Sequence, residues 1–339
     1  MRMSTAIMAV TVLGFWPRLG HAASCTTQGE LQPQDRNALT AAGGRLAGAV
    51  LNQDYGALQG ALLPSEASEW QGIRDSVELG APAVKGGQIQ LRNVYLLDAS
   101  GAAATATTQF FCSNTSGSMT VTMTMPALPP GRYAVILADA VGAQLAGQVG
   151  IILAWDPTGA TPSWKLAGLS VRQGTFDGHD GIWYWTRARE LARDSQPWSA
   201  WFSYDAARYL LLPVDFLSSP NLEKLVQEQG QVQNSPQNVF PYTLQEGDRT
   251  WKIDAVQLDG SLREPDLAVL YESTGVTDPA AVRTEVERVT EGSAGVAAKL
   301  PRAMGDSDEG RQALACDRAA DGADTVRAAI SCQLLAISG

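Results

Sequence analysis

The pattern of apolar positions divides the chain into stretches of different period. Leu39, Leu46, Val50, Leu58 and Leu62 recur close to multiples of 3.6 residues, which predicts helix from Gln34 to Leu63. Pro64 closes that run, while Gly43-Gly44 and Gly56 weaken it, so a break is expected near Asp54-Tyr55. A second short helix is expected over Ser65 to Glu78, with Trp70, Ile73 and Val77 on one face. From Ile89 the period changes to two. Ile89, Leu91, Asn93, Tyr95 and Leu97 alternate with Gln90, Arg92, Val94 and Leu96, a strand buried on both faces towards its end. Met119, Val121, Met123 and Met125 alternate with Thr120, Thr122 and Thr124, a strand with one apolar and one wet face. After the turn at Pro129-Pro130-Gly131, Arg132 to Ala138, Gly147 to Trp155 and Ser163 to Arg172 supply three more. Residues 25–174 are therefore expected to be helices packed on an antiparallel meander of five or six strands.

Residues 175–230 read as an aromatic-rich helical hairpin. Asp180 is a plausible N-cap for a helix over Ile182 to Arg193, and Pro197 opens a second from Trp198 to Leu212. Pro213 and Pro220 interrupt before a third short helix, Asn221 to Gln229. Residues 231–250, rich in Gln, Asn and Pro, read as a linker or exposed loop. Residues 251–291 read as a small β-β-α module: Trp251 to Leu258, a turn at Asp259-Gly260, Asp266 to Tyr271, then a helix from Pro279 to Thr290 announced by Asp278. No aromatic follows Tyr271, and Gly292 to Gly339 holds twelve alanines. This tail, 292–339, is expected either as a poorly ordered Ala-rich appendage or as the product of a reading-frame change near Glu291.

The fold class is α+β, with N-terminal helices on an antiparallel sheet, then the hairpin and the β-β-α unit. The early helices, the step Asp54-Tyr55-x-x-Leu58-x-x-x-Leu62 and the late strand Trp164-Lys165-Leu166 resemble the cone-shaped ketosteroid-isomerase-like fold, the nuclear transport factor 2 or cystatin-like type. The resemblance covers at most the first module and implies a pocket between helices and sheet, lined in that group's enzymes by a carboxylate or histidine. No residue of this chain matches such a position, so the activity does not carry over. The alternative is an N-terminal β-sandwich, because Leu128-Pro129-Pro130-Gly131-Arg132-Tyr133 resembles a turn–strand step of immunoglobulin-like modules. Two helices ahead of the strands weigh against it.

Residues 1–24 read as a signal peptide: Arg2, an apolar run from Ala6 to Trp16, then Gly20-His21-Ala22-Ala23. That run is shorter than the roughly 20 residues a membrane-spanning helix needs. Ala22-Ala23-Ser24-Cys25 also resembles a lipobox, in which Cys25 would carry lipid. The competing expectation pairs Cys25 with Cys112 in a disulfide, as an oxidising compartment permits. The two nearly exclude each other, because lipidation consumes the thiol; four cysteines allow three pairings.

Composition is that of a globular protein, 45% hydrophobic and 18% charged. The 339 residues carry 25 Lys+Arg against 35 Asp+Glu, a net charge of −10. Such a surface repels phosphate backbones, which argues against nucleic acid as a partner. The membrane is a partner only if Cys25 is lipidated.

Export leaves His179 as the single histidine, too few for a multi-histidine zinc site, and no C-x-x-C pair compensates. Neither a G-x-S-x-G elbow nor a phosphate-binding or dinucleotide glycine loop occurs, so no metal and no cofactor is expected. Asp177-Gly178-His179-Asp180-Gly181 reads first as a turn followed by an N-cap. Eight aromatics fall between Trp183 and Tyr209, among them Trp183, Tyr184, Trp185 and Trp201. Three in a row cannot all face one core in a helix, so at least one is expected at an interface or in water. Trp183, Tyr184, Trp185, Trp201 and His179 are the candidate binding residues. Arg187 with Glu190, and Asp205 with Arg208, read as surface ion pairs.

These readings favour an exported envelope protein that binds or scaffolds, its partner a small molecule, a glycan or an envelope protein. The alternatives are an isomerase-like enzyme using a carboxylate in the cone pocket, and a structural lipoprotein. A binding hairpin predicts two or more exposed aromatics among Trp183, Tyr184, Trp185 and Trp201, and if all are buried that reading fails.

Overall fold

A computed structural model describes residues 23–102, 107–114, 116–117, 120–159, 161–246, 248–259 and 266–272, helical residues 281, 284, 288 and 289, and strand segments 313–318 and 327–335. Residues 1–22 of the proposed signal peptide lie outside the described residues, while Ser24, the last residue of that reading, begins the first strand. The first module runs β1 (Ser24–Thr27), α1 (Pro33–Leu51), α2 (Tyr55–Ala61), a 3-10 turn (Pro64–Glu69) and α3 (Trp70–Val84). Then come β2 (Gln88–Asp98), β3 (Thr108–Ser113), β4 (Thr120–Met125), β5 (Arg132–Val141), β6 (Gln148–Asp156) and β7 (Ser163–Arg172). The middle holds β8 (Thr175–Phe176), β9 (His179–Asp180), α4 (Gly181–Arg193), α5 (Pro197–Leu211), β10 (Leu217–Ser218) and α6 (Pro220–Gly230). Last come β11 (Tyr242–Glu246), β12 (Arg249–Asp259), β13 (Asp266–Glu272), β14 (Ala313–Arg318) and β15 (Arg327–Leu335). The fold class is α+β.

Local chemistry accounts for most boundaries. Pro33 sits in the first turn of α1, where its missing N–H costs nothing. The helical run breaks where expected, since the Asp54 carboxylate accepts the Ala57 backbone N–H at 2.9 Å and starts α2 afresh. α3 extends past the expected Glu78 to Val84, with Pro82 inside its last turn, where it has no N–H to donate to the carbonyl four residues back.

Five strands form an antiparallel sheet in the order β1-β2-β5-β6-β7. One face carries Val94, Ile136, Ile151, Leu153 and Leu166, packed against Leu39, Val50, Leu58 and Val77 of the three helices. The other carries Tyr95, Leu97, Val135 and Leu137, which would be wet in a simple meander. Instead β3 and β4 leave the meander and, with β10, form a second sheet in the order β10-β4-β3. The alternation of Phe110 and Cys112 on β3, and Val121, Met123 and Met125 on β4, gives that sheet one apolar face to lay on the first. The module is three layers: helices, sheet, sheet. The disulfide between Cys25 on β1 and Cys112 on β3 ties the sheets across 87 residues.

The helical module docks onto this stack through the segment after α5. Leu217 of β10 pairs with Met123, and Val214 presses on Gly150, where an added Cβ would lie 2.4 Å from a valine methyl. The Gln148 amide donates to the Leu210 carbonyl at 2.7 Å, and Arg172 reaches Asp215 at 2.7 Å.

The third sheet departs from the expected plan in two places. Residues 231–250, read as a linker, contain β11, which pairs with β12 from Tyr242↔Ile253 to Glu246↔Arg249. The tail 292–339, read as a poorly ordered appendage, contributes β14 and β15, giving the order β11-β12-β13-β15-β14. The reason is physical: two strands alone are marginal, and β13 needs a neighbour on each side. The Asp259-Gly260 turn lies partly outside the described residues.

Candidate functional site

The candidate residues are distributed over two sides of the helical module. On one side, β8 and β9 are joined by a two-residue turn, with Asp177 at φ 48° and Gly178 at φ 75°. Both central residues at positive φ match the twist of a tight hairpin, which is why Asp-Gly stands there. The Asp180 carboxylate then accepts the Trp183 backbone N–H at 2.8 Å and caps α4, as the sequence indicates. The His179 ring lies flat on Trp183 with centroids 3.8 Å apart and 11° between planes. Trp183 is 41% exposed and its neighbour Ile182 55%. Tyr184 is 2% exposed; its hydroxyl donates to the Phe176 carbonyl at 3.4 Å, and burial pushes its ionisation well above the usual tyrosine range.

On the other side, the polar contacts converge on Glu228 of α6. Trp185, 8% exposed, donates its indole N–H to Glu228 Oε2 at 2.7 Å. Arg189, one turn on, makes a fork, Nε to Oε2 at 2.7 Å and Nη2 to Oε1 at 2.9 Å. The same guanidinium stacks on the Trp185 ring at 4.4 Å, and the Tyr204 hydroxyl completes the cluster at 3.5 Å from Oε2. Charge-assisted forks of this kind are among the stronger protein hydrogen bonds. The Arg189 hydrogen bonds, against the opposing effect of partial burial, hold the Glu228 carboxyl below its usual range. Burial, helped by the nearby Glu228 charge, raises Tyr204 to about 12.

Next to the cluster, on the residue after Glu228, Gln229 is buried and donates its amide to Asp205 Oδ1 at 2.6 Å and to the Trp201 carbonyl at 3.3 Å. Burial lifts Asp205 to about 6 despite that hydrogen bond and the charge of Arg208. Trp201 is partly buried, packed between the α4–α5–α6 core and the Trp198–Phe202 cluster that faces the third sheet. Of the two ion pairs expected, Arg187–Glu190 forms at 3.4 Å, whereas Asp205 turns inward to Gln229.

Beside the Glu228 cluster lies an open groove of about 740 Å³. Its walls are Arg189 and Arg193 of α4, Tyr204 of α5, Glu228 of α6, and Gln231, Gln233 and Asn234 of the turn that follows. The sequence reading did not single out Glu228 or this turn. The available signal was Trp185 and Arg189 at i and i+4, an arrangement that stacks on one helix face.

The expected binding set is therefore not one surface. Of the four aromatics only Trp183, with His179 beside it, is exposed, short of the two or more expected of a binding hairpin. Trp201 is half-covered, and Tyr184 and Trp185 are buried, Trp185 bonded to Glu228 without lining the groove itself. Where a ketosteroid-isomerase-like pocket would lie, between α1–α3 and the sheet, the layer is filled with hydrocarbon side chains. Glu272 of β13 is paired with Lys252. Among the described residues no cluster of three His, Cys, Asp or Glu side chains could hold a metal, and no helix is long and apolar enough to cross a membrane. No protein-family model matches the chain, and neither a curated protein nor a solved structure matches it.

Proposed function

We propose that this is an exported envelope protein that binds a polar ligand in the groove between α4, α5 and α6. The observation that carries the reading is the groove itself: about 740 Å³ is within the roughly 300–1,000 Å³ typical of ligand sites. Its lining selects the ligand class. Gln231, Gln233 and Asn234 offer amides that both donate and accept, and Arg193 adds a positive charge whose backbone contact to Arg189 leaves further N–H groups. Amides beside a guanidinium suit a glycan or peptide carrying amide and carboxylate groups. Export is supported by the N-terminal pattern and by the Cys25–Cys112 bridge, which persists in an oxidising compartment. That bridge uses the Cys25 sulfur, so it leaves no thiol there for lipid.

Isothermal titration of the mature protein with soluble peptidoglycan fragments, which carry those groups, tests the reading. Binding should weaken at least tenfold in the double variant Arg193→Ala, Gln233→Ala. Equal affinity in both proteins, or no heat with either, would overturn it. A scaffolding role has one observation in its favour, the adjoining exposed Ile182 and Trp183. In that case Trp183→Ala, rather than the groove variant, should abolish co-sedimentation with envelope membranes. The enzyme reading has no comparable support in the helix–sheet layer.

A further inference from the structure

Two cysteines remain once Cys25 and Cys112 are joined, namely Cys316 and Cys332. They lie on β14 and β15, and the antiparallel register puts Cys316 directly opposite Cys332. Directly opposed residues of such a pair share a face of the sheet, with Cα atoms about 4.5 Å or 5.5 Å apart according to the hydrogen-bonding of the pair. Either spacing falls within the roughly 4.4–6.8 Å over which a disulfide spans two Cα atoms. The same line of register continues to Leu267 on β13, so the pair occupies the outer half of the five-stranded sheet.

From the register, and from a count of four cysteines of which two are already joined, we infer that Cys316 and Cys332 form a second disulfide, a cross-strand staple on the last hairpin. The inference rests on the export reading, because the bond needs an oxidising compartment. The oxidant is an external disulfide, of the glutathione or oxidoreductase class. One cysteine thiolate attacks it, forming a mixed disulfide and expelling a first thiol. The second thiolate attacks the mixed disulfide at the protein sulfur and expels a second thiol. The protein gives up two protons and two electrons, and the external disulfide is reduced to two thiols.

The staple has a structural role that the hairpin's composition calls for. Alanines at 313, 315, 328 and 329 give β14 and β15 little side-chain bulk to fix their pairing. A slip by one residue would exchange the faces of every position on β14. A covalent bond at 316–332 excludes that slip, and with it the loss of the neighbour that β13 requires.

The test is a peptide map of the natural mature protein, alkylated without reduction and cut with trypsin. Two linked species are expected: Gln312–Arg318 joined to the peptide beginning at Ala328, and the peptide ending at Arg36 joined to Asn93–Arg132. Each should separate on reduction with a gain of two hydrogens. If 25–112 is linked while Cys316 and Cys332 are alkylated, the inference is overturned and export stands. Links between the two pairs would also overturn it. Alkylation of all four cysteines would sink the export reading together with the inference.

Discussion

The layer between α1–α3 and the five-stranded sheet is filled by hydrocarbon: Leu39, Val50, Leu58, Val77, Ile136, Ile151 and Leu166 are all fully buried there. The contact between α4, α5 and α6 has an apolar centre too, with Ala188, Leu191, Ala207 and Leu225, but at its rim sit Glu228, Arg189, Trp185, Tyr204, Asp205 and Gln229. Hydrocarbon packing is non-directional and specifies mainly volume. A forked ion pair with an indole and a phenol specifies angles, so it fixes how three helices stand around a groove. The first region is built to be closed and the second to hold a shape open to solvent. The second also carries an electrostatic cost, in a buried carboxylate that resists ionising.

Four experiments would break or sharpen that contrast. The largest effect is expected in the stack, where Cys25→Ser with Cys112→Ser should lower stability by about 4 kcal/mol, since the bridge closes 87 residues. Urea unfolding measures it, and a loss below about 1 kcal/mol would mean that the two sheets hold without their tie.

Next is Asp205→Asn. Burial keeps Asp205 protonated in the folded state up to about pH 6, against an ordinary value of 3.8. Between those values the folded protein binds more protons than the unfolded one, so stability falls as pH rises from about 4 to about 6 and stays lower above. Asparagine can still accept from Gln229 and does not titrate. The variant should therefore gain up to about 3 kcal/mol at pH 8 and nothing below about pH 4. Thermal melts across that range would read it, and a pH-independent difference would show that Asp205 is solvated after all.

Glu228→Gln should cost about 2 kcal/mol, because the charge that orients Arg189 is lost while an acceptor remains for Trp185. Its pH dependence has the opposite sign to that of Asp205: Glu228 is lowered, so its contribution is present at neutral pH and is lost as pH falls through its folded value. Chemical denaturation at pH 7 and pH 4 should show the deficit shrinking in acid. The smallest effect is expected of Trp183→Ala, within about 0.5 kcal/mol, since the ring is a surface group stacked on His179. A loss of 2 kcal/mol or more would move Trp183 into the core of the module.

Elements governed by local chemistry were readable in the sequence. Thr120 to Met125 alternates so regularly that its strand and its buried face both follow, and Asp54 and Asp180 announce the helix starts they cap. What could not be read depends on contacts distant in sequence. Nothing near Leu217-Ser218 says that two residues will extend a sheet begun at Thr108, and β14 and β15 are too alanine-rich to show a strand pattern. The proposed groove was half legible for the same reason. The aromatic cluster lies in the same module, but Glu228 reaches Trp185 and Arg189 across about forty residues of chain, a distance that periodicity does not see.

The bridge between β1 and β3 has a mechanical consequence. A protein held at one end and loaded at the other unravels by paying out chain. The 87-residue separation between Cys25 and Cys112 is excluded from that lengthening while the bond lasts. At about 3.4 Å per extended residue, some 300 Å of reach stays locked inside the loop. Under tension the sulfur–sulfur bond then acts as a length limiter, and a reducing agent would release that reserve in a single step.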